Sequence, residues 1–149
     1  MYQFVLAVHN IVRWIVLISG IIAIVLAFVG WLGKKEWTDQ DRRMGLLFTV
    51  SLDIQLLLGL ILYFFLSPIT KAALQGMSDL MSDAGLRFFA LEHAFLMLLA
   101  IVFAHLGSAL PRRVEDPVAK HRRAAICFTL AILMLLLGMP WMRPFFPGL

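Results

Sequence analysis

One cysteine, two tyrosines and only 15% charged residues in 149 positions narrow what this chain can be. A lone Cys127 closes no intrachain disulfide and builds no cysteine-rich zinc or iron–sulfur site within one copy. It lies inside an apolar run and reads as a small packing residue. The scarcity of charge, set against 62% hydrophobic residues and a mean hydropathy of +0.91, excludes an ordinary soluble domain, in which about half the residues are apolar. Motifs are missing too. There is no glycine-rich phosphate loop, no His-Glu-x-x-His helix and no nucleophile elbow, so neither hydrolase nor kinase chemistry has support. No basic n-region and no small-residue cleavage site accompany the first apolar run, which is therefore expected to stay as a helix.

The formal charge of +4 would suit nucleic acid, but its distribution argues otherwise. Lys34, Lys35, Arg42 and Arg43 fall between the first two apolar runs; Arg112, Arg113, Lys120, Arg122 and Arg123 fall between the last two. This is the pattern of the positive-inside rule, and it makes the lipid bilayer the partner.

The runs define an all-α, single-domain chain (1–149) with transmembrane helices expected at about 4–32, 44–66, 86–110 and 124–139, since ~20 apolar residues cross ~30 Å of hydrocarbon. Short connectors make these an up-down-up-down four-helix bundle. Thr38 or Asp39 offers an N-cap for the second helix, and Pro68, Pro111 and Pro140 offer stops. Between helices two and three, Ile69, Ala73, Met77 and Leu80 or Met81 recur opposite Lys71, Gln75, Ser78 and Asp79, the pattern of a short amphipathic surface helix. Trp31, Trp37, Tyr63 and Trp141, with the proline- and aromatic-rich tail, read as interfacial anchors. With both basic connectors cytoplasmic, both termini face outward, and the expected location is the bacterial inner membrane.

Ionisable residues at membrane depth cost roughly 2.5–3.5 kcal/mol each on insertion scales, so they are expected to face a protein interior and to have a task. Glu92 and His93 adjoin in helix three, and His9, Arg13, Asp53 and Gln55 lie in helices one and two. Counting at 1.5 Å per residue puts His9 and His93 at one level, roughly 9–10 Å below the outer boundary. Facing imidazoles at one depth in a bundle can hold a haem iron between them, and bis-imidazole ligation leaves no open coordination position. The alternative is a pair of interhelical hydrogen bonds that only fasten the bundle. Arg13, one turn beyond His9, falls at the depth of Asp53, so a structural ion pair is expected, with a haem propionate as the alternative partner of Arg13; Arg87, nearer the surface, is the better propionate candidate. Glu92 is expected to pair with Arg13 or Arg87, or to bind a quinone or proton. His105 and His121 share a second level where another haem is conceivable, although His121, inside Lys120-His121-Arg122-Arg123, reads as a surface histidine. Gln55 reads as an interhelical hydrogen bond.

His9-Asn10-Ile11-Val12-Arg13-Trp14, Asp53 to Gly59, Arg87 to His93 and Lys120 to Ala125 together resemble a family of small four-helix bacterial membrane proteins that carry cytochrome b-like labels. The resemblance implies a b-type haem protein of an energy-transducing respiratory or photosynthetic membrane, with His9 and His93 in the ligand positions. The expected function is electron transfer between a donor such as quinol and a larger redox complex rather than stand-alone enzymatic catalysis. Two other classes stay open: a cofactor-free accessory or assembly subunit, and a small transporter or proton path through Arg13, Asp53 and Glu92.

Overall fold

A computed structural model describes residues 1–141, with the backbone alone at 77–79. The proline- and aromatic-rich tail beyond Trp141 lies outside the described residues. Among those described the chain is all helix: α1 (Tyr2–Leu32), α2 (Asp39–Ile61), α3 (Pro68–Gln75), α4 (Met77–Ser82), α5 (Ala84–Arg87), α6 (His93–Ala109) and α7 (Pro117–Gly138). Four helical stretches, Tyr2–Leu32, Asp39–Leu66, Ala84–Arg113 and Pro117–Gly138, are long and apolar enough to cross a membrane.

Local chemistry sets their ends. Thr38 caps α2 in a reciprocal capping box: its hydroxyl accepts from the Asp41 N–H, and the Asp41 carboxylate accepts from the Thr38 N–H. The second helix therefore starts at Asp39, earlier than hydropathy alone indicates. The fourth is displaced further. Asp116 accepts from the Ala119 N–H at 2.8 Å and Pro117 occupies the first helical turn, so α7 begins seven residues before the expected start at Ala124. Lys120, His121, Arg122 and Arg123 thus sit on a helix rather than in a loop. The expected single surface helix after Pro68 is also corrected. It is three short helices, interrupted at Gly76, which is extended, and at Asp83, which caps α5 through the N–H groups of Gly85 and Leu86.

Two of the long helices widen into a π turn, at Leu62–Leu66 and at Phe88–Glu92, each with a backbone bond five residues long: Ser67 N–H to the Leu62 carbonyl, and His93 N–H to the Phe88 carbonyl. Hydropathy carries no trace of either. Both flank the cavity described below, the placement at which π turns recur in proteins.

In the core, α1 packs on α2 and α7, and α6 packs on α2 and α7. Small residues fill the contacts: Ala100, Ala104, Ala124, Ala125 and Ala131 are fully buried, while Ile11, Ile18, Val25, Leu57, Phe95 and Leu98 point outward. An interior of alanine with large aliphatics outside is the packing expected where the surroundings are as apolar as the side chains. Phe48 and Phe128 meet edge to face, at 5.6 Å between ring centroids, as the large pieces of this core. Hydroxyl pairs join helices as well, Ser19 to Ser51 at 3.3 Å and Thr49 to Ser108 at 2.6 Å.

Candidate functional site

A cavity of about 370 Å³ opens near the start of α1, bounded by α1, α2 with its π turn, α3, the π turn before α6, and the end of α7. Its volume falls within the range of small-molecule and cofactor sites, roughly 300–1,000 Å³. Most of the lining surface is apolar, but nine of the twenty lining residues carry polar side chains. Tyr2, His9, Asn10 and Arg13 come from α1, Gln55 from α2, Tyr63 from the first π turn, Ser67 and Thr70 from the start of α3 and His93 from the start of α6. His9 and Arg13, four residues apart, share one face of α1.

The two imidazoles are held differently. His93 Nδ1 lies 2.7 Å from the Gly138 carbonyl near the end of α7. A carbonyl can only accept, so Nδ1 carries the proton and Nε2 keeps its lone pair. The rings of Phe88 and Phe89 lie 6.1 and 6.2 Å from the His93 ring and wedge it further. His9, by contrast, packs toward Gly59, where an added Cβ would stand 3.4 Å from Cε1, and its buried Nδ1 has no hydrogen-bond partner. Gln55 Oε1 is likewise buried without a partner, which corrects the expected interhelical bond at that atom. Unpaired buried polar atoms are costly, and with one on each of two lining residues this cavity is the candidate ligand site, although His121 Nδ1 and Thr129 Oγ1, which lie away from it, are unpaired as well.

Tyr63 was expected at an interface and is instead part of this wall. Its hydroxyl donates to the Ala90 carbonyl at 2.9 Å, tying one π turn to the other, and Thr70 in turn donates to the Tyr63 carbonyl at 2.7 Å. The only advance signals for Tyr63, Gln55 and Gly59 were a phenol inside a spanning run, an amide at mid-depth and a helical glycine facing His9.

The remaining polar residues divide. Arg87 Nε meets Glu92 Oε1 at 2.9 Å, one of the two pairings expected for Glu92. On an α-helix residues five apart are about 140° from each other, and the π turn between these two brings them together. Neither lines the cavity, and Glu92 faces outward with about half its side chain exposed, so it does not face the protein interior as expected. Arg87 also donates to the Met81 carbonyl, which ties its guanidinium to that outer site and away from a propionate in the cavity.

Asp53 is likewise turned from the expected partner. Two residues from Gln55 is about 200° of helix rotation, so with Gln55 on the cavity Asp53 looks toward α6. There it accepts from His105 Nε2 at 2.9 Å, in place of an ion pair with Arg13. Arg13, Asp53 and Glu92 therefore occupy three different surroundings, which leaves the transport path that was to join them without a common channel wall.

His121 overturns its reading as a surface histidine. It is 1% exposed. Its ring fills the hollow over Gly30, where any Cβ would collide with it, and lies 4.8 Å from the Trp37 ring; Nε2 donates to the Glu36 carbonyl at 3.3 Å. His105 faces α2 and His121 faces α1, so the two share no site for a second haem. Among the described residues no three His, Cys, Asp or Glu side chains gather in a metal-holding group.

Comparison with models of protein families, with curated proteins and with solved structures finds no match to this chain.

Proposed function

We propose that the chain is a membrane b-type haem electron carrier, in which His9 and His93 would hold the haem iron. The observation that carries this reading is the bond from His93 Nδ1–H to the Gly138 carbonyl. Histidines that bind metal commonly hold their other ring nitrogen in this way, which fixes the tautomer, orients the ring and leaves Nε2 for the metal. His9 lines the same cavity, and no hydrogen bond at its Nδ1 commits the ring to another part of the chain. Haem, when bound, supplies one-electron transfer, and two imidazoles leave it no open position for oxygen chemistry.

The chain's own residues do the rest. Gly138 holds the His93 ring in register, Tyr63 ties the two π turns that shape the wall, and the aliphatic lining excludes water. Arg13 places a positive charge on the cavity, which favours the more reduced state of a group bound there. A quinol is the fitting electron donor, because it resides in the bilayer, and a larger redox complex is the fitting acceptor. In this reading the helices run up-down-up-down through a bacterial inner membrane with both termini outside, as the basic connectors imply, and the resemblance to cytochrome b-like proteins agrees.

Protein purified with ample haem should be red and show the reduced-minus-oxidised bands of a b-type haem. A colourless protein would transfer the case to the accessory-subunit reading, which the Ser19–Ser51 and Thr49–Ser108 bonds favour because they fasten helices with no ligand. Orientation has its own test. Cysteines at positions 38 and 119 should resist an impermeant thiol reagent in intact cells, and one at position 75 should react; the reverse pattern inverts the topology.

A further inference from the structure

A second cavity, of about 210 Å³, opens at the other end of the bundle, between the start of α2, the end of α6 and the first turns of α7. We infer that it binds a phosphate-bearing anion, and that the anion is the headgroup of an acidic phospholipid. The inference rests on the membrane reading of the four long helices and is independent of haem.

The hollow exists because its floor is made of glycine. Gly45 and Gly107 lie against the Phe128 ring so closely that a Cβ would stand 2.9 and 2.5 Å from it. Three cations from three separate segments surround that floor: Arg42 at the start of α2, Arg112 in the turn after α6 and Lys120 in the first turns of α7. Asp41 is the one carboxylate in the wall, and it is engaged, accepting from the Thr38 N–H at 2.8 Å and from the Thr38 hydroxyl at 2.6 Å. Arg42 shares only an exposed contact at 3.3 Å with Asp39, the kind of pair that contributes little. The side chains of Arg112 and Lys120 make no hydrogen bond or ion pair with any other described residue. The cavity thus carries an excess of positive charge that the chain does not neutralise.

The donors fit phosphate. A guanidinium presents a planar fork to two phosphate oxygens, and an ammonium adds a point charge. The position fits a lipid. The cavity lies where spanning stretches end, and outward-facing Leu46, Leu47 and Leu106 follow directly on α2 and α6, an apolar surface for acyl chains. Basic pockets between spanning helices on the cytoplasmic side hold anionic headgroups by this combination.

The test is native mass spectrometry of the detergent-solubilised chain, titrated separately with phosphatidylglycerol, phosphatidylcholine and inorganic phosphate. Preferential binding of phosphatidylglycerol, weakened about fivefold by each of Arg112→Gln and Lys120→Gln, supports the headgroup site. Arg122→Gln, exposed on the same helix and outside the cavity, serves as the control and should change nothing. Arg112 is exposed, so its replacement leaves the fold intact even if Lys120→Gln disturbs α7. Inorganic phosphate that binds with the same dependence on Arg112, without preference between the lipids, upholds the anion site and assigns it to free phosphate. Equal binding of both lipids with no phosphate binding, or phosphatidylglycerol binding unchanged by Arg112→Gln, overturns the proposal. A chain that stays in solution without detergent overturns the membrane reading and the lipid source together, and the phosphate arm then decides the site.

Discussion

Histidines stand near both ends of this bundle, and their neighbours make them different objects. His9 and His93 face a cavity, one with an unpartnered buried nitrogen and the other with its second nitrogen left available. His121 sits in a glycine hollow between α1 and α7, pressed against Trp37 and bonded through Nε2 to a connector carbonyl; its Nδ1 is unpartnered too, but the ring fills the hollow over Gly30 and lines neither of the two cavities. An imidazole at a helix contact becomes a ligand candidate only where space and a free nitrogen coincide. Where the space is filled, the same residue is a wedge.

The contrast can be broken most forcefully at the cavity. If His9 and His93 hold one haem as proposed, replacing either with alanine should reduce bound haem more than tenfold by difference spectrum. The double variant should lose no more than either single one, because both act on one site. His105→Ala should leave the spectrum unchanged; haem loss there instead would shift the chemistry to the other end.

The next effect concerns the wedge and is one of stability, not colour. His121→Ala should cost about 2–4 kcal/mol in a thermal melt, from the void it leaves and the Glu36 carbonyl it abandons. Gly30→Ala should cost about 1–3 kcal/mol through overlap with the ring, and that cost should shrink once His121 is already alanine. Strictly additive losses would show that the two do not meet.

Tyr63→Phe tests the tie between the π turns and should cost about 0.5–1.5 kcal/mol, the net worth of one hydrogen bond. The smallest effect belongs to the outward-facing pair. Combining Asp53→Ala with Arg13→Gln should give strictly additive changes in the same melt. Strong coupling would restore the Arg13–Asp53 partnership expected from depth.

Depth, in fact, was the property legible in the sequence. Counting residues from the boundaries put His9 and His93 at one level, and both line the first cavity; it put Asp53 level with Arg13 equally well, and there the count misled. Level fixes height along the bundle but not rotation about a helix axis, and two residues of offset between Asp53 and Gln55 turned the carboxylate to another neighbour. The start of α7 was legible and was missed: Asp116-Pro117 is an N-cap followed by a first-turn proline, a capping signal that hydropathy outweighed. The burial of His121 was not legible at all, because the hollow it fills belongs to Gly30, 91 positions away. The π turns left no mark either, since a run of leucine and phenylalanine suits a wide turn as well as a narrow one.

Those wide turns give the chain an unusual sensitivity to its own length. Shortening the stretch Phe88–Glu92 by one residue would preserve every hydropathy average and still span the same thickness. If the turn then stayed wide, or if it closed to ordinary helix at the present length, everything preceding it would swing by about 100° relative to α6, whereas the loss and the closure together would cancel. With the swing, Arg87 would part from Glu92, Ala90 from Tyr63, and the ring of Phe89 from its place beside His93. At this point a one-residue change rotates the wall unless the turn changes with it, so a chain one residue shorter would enclose the same interior only with an ordinary helix here.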